Sequence, residues 1–139
     1  VFECADGHVS LGAIEPKFYA ELLSRLGLND VDAARQYAFE DWPALRSRIA
    51  ALLKTQTRAH WCTVLEGSDA CFAPVLSLAE APLHPHLAAR GTFVDIGGRM
   101  LPAAAPRLST SGARAPQPGP HPGEHTDAVL RELGLNATR

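Results

Sequence analysis

Apolar positions along this chain follow two rhythms. At its start, Val1–Cys4 and Val9–Leu11 are apolar-rich runs separated by Ala5-Asp6-Gly7-His8. An Asp-Gly pair in that setting predicts a β-hairpin closed by a type I′ turn with positive φ. After Gly12 the period lengthens. Pro16 opens a predicted helix to Leu26, with Phe18, Tyr19, Leu22, Leu23 and Leu26 on one face and Gly27 as its C-cap. Asp41 is placed to cap a second helix, with Pro43 in its first turn and Leu45, Ile49, Leu52 and Leu53 facing the core. Thr57 is placed to cap a third that runs through Trp61, Val64 and Leu65 to Gly67.

Beyond Gly67 the pattern is more broken. Cys71–Leu78 is apolar but interrupted by Pro74, and Ala79–Leu87 holds Pro82 and Pro85, so loops and a short helix are expected there. Thr92–Ile96 and Met100-Leu101, joined through Gly97-Gly98-Arg99, predict a second hairpin. Six of the eleven prolines fall between Pro102 and Pro122, which predicts an extended, irregular strap. A last helix is expected after it, capped by Thr126, with Val129, Leu130 and Leu133 on one face and Gly134 at its end.

Composition narrows the function. With 46% hydrophobic and 20% charged residues, the chain has the make-up of one folded globular domain, not of a disordered segment. Thirteen basic residues against fifteen acidic ones form no basic stripe, which argues against nucleic acid and anionic membranes as partners. Arg25, Arg46, Arg48 and Arg58 read as solvated helix faces. No apolar run approaches the ~18 residues of a membrane span. The first residue, Val1, stands inside a strand-like run, which suggests further sequence upstream.

Most candidate chemistry fails on inspection. Cys4, Cys62 and Cys71 are odd in number and lack CxxC spacing, so no disulfide framework or zinc site is expected. A reducing, cytoplasmic compartment fits them. Cys71 is expected to be a buried structural thiol. His84-Pro85-His86, His121 and His125 lack acidic or thiolate companions at metal-site spacing, so no metal is expected. No GxSxG elbow or Gly-rich phosphate loop occurs. Glu15 stands apart. Between a hairpin and the Pro16 helix start, a carboxylate gains ~0.3–1 kcal/mol from the helix dipole. It reads either as a helix-end charge or as a group with a role in catalysis.

The motifs taken together favour the second reading. Cys4-Ala5-Asp6-Gly7 and Leu11-Gly12-Ala13-Ile14-Glu15-Pro16-Lys17-Phe18-Tyr19 resemble the C-A-D-G and V-G-A-I-E-P-Q-F-Y segments of the α-methylacyl-CoA racemases, within the family III CoA-transferase superfamily. Asp41-Trp42-Pro43, Thr57 through Trp61, Asp69 through Val75, Arg90-Gly91-Thr92-Phe93, Pro106-Arg107-Leu108 and Gly123-Glu124-His125-Thr126 continue the series in order. His60 departs from the family's usual Glu and reads as a helix-surface change.

The resemblance implies an α+β fold. Residues 1–88 would be the family's small domain, and residues 89–139 a returning hairpin, strap and helix belonging to a Rossmann-like large domain built mostly from sequence outside this chain. It implies an interlocked homodimer that acts on acyl-CoA substrates without a cofactor, inverting the α-carbon of 2-methylacyl-CoA thioesters. The catalytic His and Asp of the family would lie upstream. Glu15 matches the Glu that supports that His. On this reading the chain by itself would be inactive. A CoA transferase of the same superfamily, or a non-catalytic dimerisation or binding module, are the alternatives. The Ile14-Glu15-Pro16 motif favours the racemase, since transferases generally lack this Glu.

Overall fold

A computed structural model describes residues 1–110, 112 and 116–135. The chain divides into two compact units, Val1–Ser77 and Leu78–Arg139, and its secondary structure is a mixture of helix and sheet.

The first unit opens with the expected hairpin, β1 (Phe2–Glu3) and β2 (His8–Leu11), paired with Phe2 opposite Val9 and Glu3 opposite His8. Its turn differs from the expectation. Four residues span it, closed by the Cys4 N–H on the Gly7 carbonyl at 2.7 Å, and neither Asp6 nor Gly7 has positive φ. The Asp6 side chain of this loop bonds elsewhere in the unit.

Three helices follow: α1 (Pro16–Arg25), α2 (Trp42–Leu53) and α3 (Arg58–Leu65). Pro16 takes the first position of α1, where its missing N–H costs nothing, and Gly27 at φ 70° ends the turn. Thr57 caps α3 as expected, its hydroxyl oxygen accepting from the His60 N–H at 3.2 Å. Asp41 takes the N-cap position of α2 as expected, but its side chain makes no capping bond. A 3₁₀ turn, Phe39–Asp41, runs directly into the helix, so Asp41 is already helical and its carboxylate accepts from Arg35 Nε at 2.8 Å instead.

The strand β3 (Phe72–Val75) was not expected, because Pro74 cannot donate to a ladder. Geometry resolves this. β3 pairs antiparallel with β2 at the edge of a β1-β2-β3 sheet, with Val9 opposite Pro74. The Gly12 N–H bonds the Cys71 carbonyl at 2.9 Å. Hydrogen-bonded pairs alternate along an antiparallel ladder, so the Val9–Pro74 pair is a non-bonded one and the proline nitrogen faces the open edge.

The core gathers where helices meet this sheet. Val9, Leu53 and Leu65 are essentially inaccessible, with Leu22, Leu23, Leu26, Leu28, Ile49 and Trp61 around them. Full burial of one such side chain contributes about 1.5–3 kcal/mol. The Trp61 indole N–H reaches the Leu53 carbonyl at 2.9 Å, so its one polar atom is satisfied inside the core. Arg58 is half-buried and donates to the Val75 carbonyl at 2.7 Å, a tie from helix to sheet that corrects its reading as a solvated side chain.

The second unit holds α4 (Pro85–Ala89), the hairpin β4 (Phe93–Ile96) and β5 (Arg99–Pro102), and α5 (Thr126–Glu132). Gly97 and Gly98, at φ 62° and 80°, close the hairpin as a two-residue turn with a positive φ that glycine adopts without steric cost. Between β5 and α5 the described residues form no helix or strand. Thr126 is the first residue of α5 and not its cap; that position falls on His125, which makes no side-chain capping bond. Val129 and Leu133 stay 50% and 66% exposed, and no described residue of this unit is buried.

Candidate functional site

Glu15 sits at the N-cap of α1 with extended backbone, φ −71° and ψ 139°. Its carbonyl accepts the Tyr19 N–H at 2.9 Å, the first bond of the helix. Its side chain is exposed and makes no capping hydrogen bond. A carboxylate at a helix N-terminus commonly folds back onto backbone N–H groups. This one leaves the helix end alone and projects its charge outward, available to an external partner.

The peptide just before Glu15 is held from a distance. The Ile14 carbonyl oxygen accepts from Gln36 Nε2 at 2.6 Å and from the Tyr37 hydroxyl at 3.1 Å. Both donors come from the irregular stretch between the 3₁₀ turn Ala33–Arg35 and α2. Neither belongs to a recognisable motif, so sequence reading passed over them. The Trp42 indole N–H in turn donates to the Gln36 carbonyl at 2.8 Å, tying this stretch to the start of α2. Phe39 packs edge-on to Trp42 at 4.7 Å between ring centroids.

An open cleft of about 430 Å³ lies nearby, between Tyr19, Val31, Trp42 and Leu45. Most of its charged rim is already paired, and Asp32 accepts from the Ala34 N–H at 2.9 Å. Arg35 bonds Glu40 at 3.0 Å and Asp41 at 2.8 Å, and Arg48 grips both carboxylate oxygens of Asp30 at 2.6 Å. These guanidiniums are raised in pKa mainly by the hydrogen bonds they donate, and Asp30 is held below the usual carboxylate range by Arg48. Groups neutralised in this way serve the fold. Glu15 does not line the cleft.

The other sequence candidates are placed differently. Cys71 is exposed, against the expectation of a buried thiol, and has φ 49°; its strand-entry position turns the side chain outward. Cys4 is the buried thiol, its pKa raised by burial and then by the Asp6 charge. His60 lies exposed on α3 with its ring edge-on to Trp61. Among the described residues no His, Cys, Asp or Glu side chains cluster as a set of three metal ligands, and no helix is long and apolar enough to cross a membrane.

Comparison with known proteins places this geometry in a family. The chain is 40% identical over 138 residues to the alpha-methylacyl-CoA racemase of Mus musculus and 35% identical over 141 residues to that of Homo sapiens. Each match covers 97% of this chain but 36% of the relative, so the chain spans about a third of their length. In fold it is similar to a hypothetical protein from Mycobacterium tuberculosis, with a TM-score of 0.70 and 22% identity over 93% of this chain and 38% of that one. The family model for CoA-transferase family III matches residues 1–126, and the chain belongs to that family.

Proposed function

We propose that this chain is part of an α-methylacyl-CoA racemase, in which Glu15 supports the imidazole that moves the α-proton. The observation that carries the reading is the match to two racemases along nearly the whole chain, joined to an unengaged Glu15 carboxylate at a rigidly held helix start.

The chemistry sets the requirements. The α-proton of a 2-methylacyl-CoA thioester is weakly acidic, and inverting the centre needs one group to remove it from one face and another to return a proton on the opposite face. Each positioned acid or base is worth ~10²–10⁴-fold. Resemblance assigns these roles to a His and an Asp outside this chain. When the His takes the proton it becomes a cation, and a carboxylate beside it stabilises that form. Glu15 fills this supporting role, directed outward from α1.

In this reading residues 1–88 are the small domain, and residues 89–139 return to a Rossmann-like large domain of the full protein, in an interlocked homodimer. The lack of buried residues among those described in the second unit supports a docking surface outside the chain. The 139 residues alone are then inactive.

The test uses the full-length protein. In Glu15→Gln the amide keeps the shape but loses the charge, so exchange of the α-proton of a 2-methylacyl-CoA in deuterated water should slow by at least ~10-fold while the thioester still binds. Exchange at the parent rate across the pH range would leave Glu15 as a helix-end charge. Acyl transfer between CoA thioesters and free acids, without α-exchange, would identify a CoA transferase instead.

A further inference from the structure

We infer that Gln36 and Tyr37 are positioning residues for Glu15, acting through the carbonyl oxygen of Ile14; the inference rests on the role of Glu15 proposed above. That oxygen belongs to the peptide joining Ile14 to Glu15. With Gln36 Nε2 at 2.6 Å and the Tyr37 hydroxyl at 3.1 Å, it accepts two side-chain hydrogen bonds that fix the plane of the peptide entering Glu15. The peptide leaving Glu15 is fixed by the helix, through the Tyr19 N–H at 2.9 Å. The Glu15 backbone is thus bracketed on both sides while its carboxylate stays uncommitted.

A purely structural purpose fits poorly. Ile14 and Tyr37 are 69% and 59% exposed, and a hydrogen bond from so exposed a tyrosine adds little to stability. The amide of Gln36 also accepts a cost. Its Oε1 is buried without a partner, so donating Nε2 to the Ile14 oxygen dictates the orientation of the group. The donors are themselves anchored, with the Gln36 carbonyl held by the Trp42 indole at 2.8 Å and the Ala38 N–H on the Arg35 carbonyl at 2.9 Å. What the arrangement delivers is direction. A carboxylate that supports a proton carrier must be held to within a fraction of an ångström, and misplacement by about 1 Å can cost ~10²-fold in rate.

The experiment is a cycle in the full-length protein, following α-proton exchange into a 2-methylacyl-CoA in deuterated water. Gln36→Met removes the amide donor and Tyr37→Phe removes only the hydroxyl. Each is made alone, together, and in combination with Glu15→Gln. The expectation is ~3–10-fold lower kcat for each single variant with KM within about twofold of the parent, and no further loss when either is added to Glu15→Gln. If Glu15→Gln is slow but Tyr37→Phe and Gln36→Met keep the parent kcat, the positioning role is wrong while the reading of Glu15 stands. Losses that multiply in the Glu15→Gln background would place their effect elsewhere and also overturn the role. If Glu15→Gln itself exchanges at the parent rate, both readings fall. Should Gln36→Met fail to fold, Tyr37→Phe, which alters one exposed hydroxyl, decides the matter alone.

Discussion

The Asp6 carboxylate accepts a hydrogen bond from the backbone N–H of Arg58 at 2.7 Å, across 52 residues of sequence. The loop of the opening hairpin therefore satisfies an N–H at the start of α3 that no intrahelical carbonyl can reach, beside the local cap from Thr57. Replacing Asp6 by Ala should destabilise the chain by about 1 kcal/mol, and Asp6→Asn, which keeps an acceptor oxygen, by less. Urea unfolding of the two variants side by side measures this. Equal losses would mean that the charge, and not the acceptor, matters.

Trp61 joins core volume to a buried hydrogen bond on the Leu53 carbonyl. Trp61→Ala should cost about 3–5 kcal/mol. Trp61→Phe restores much of the volume but leaves the Leu53 carbonyl without its side-chain donor, and should cost visibly less. Thermal unfolding orders the two variants against the parent.

The Asp30–Arg48 pair makes an acid-sensitive contribution. Arg48 lowers the Asp30 pKa from its ordinary 3.8, chiefly through their hydrogen bonds. A depressed folded-state pKa means that the stabilisation is complete above the unfolded value and is lost as pH falls through the folded one. Stability should therefore decline as pH falls below the ordinary 3.8 more steeply in the parent than in Arg48→Ala. Both groups are exposed, so added salt should narrow the difference. Parallel unfolding curves for parent and variant across that range would show that the pair contributes nothing.

Two cysteines should behave oppositely toward a thiol reagent. Cys71 is exposed, whereas Cys4 is buried and its thiol is held protonated to higher pH. Modification should reach Cys71 first and Cys4 only on unfolding. The backbone at Cys71 makes a second point. At φ 49° a side chain is strained, so Cys71→Gly should raise stability by about 0.5–1 kcal/mol, while Cys71→Val lowers it. Mass spectrometry after timed labelling and a denaturation series check the two halves separately.

What could be read from the sequence was local. Pro16, Thr57, Gly27 and the Gly97-Gly98 pair act within a few residues of themselves, and their elements stand where the pattern placed them. Several of the misreadings involve a partner elsewhere in the chain. Asp41 satisfies Arg35 instead of a helix end, Arg58 is drawn to the Val75 carbonyl, and Pro74 is admitted to a strand only because β2 lies on its other side. The candidate site divides the same way. Glu15 was visible through its motif and the adjacent proline. Gln36 and Tyr37 were not, because they act 22 and 23 residues away on a backbone oxygen that any residue at position 14 would present.

Pro74 also bears on how copies of this chain behave when crowded. A free sheet edge invites a neighbouring chain to add a strand, and unbroken rows of outward N–H groups make the addition easy. At the β3 edge the outward nitrogen of Pro74 has no hydrogen to offer, and at the other edge β1 is two residues long. Neither side provides the template on which edge-to-edge aggregation grows. A valine at position 74 would fit the strand better and leave the sheet open to self-association.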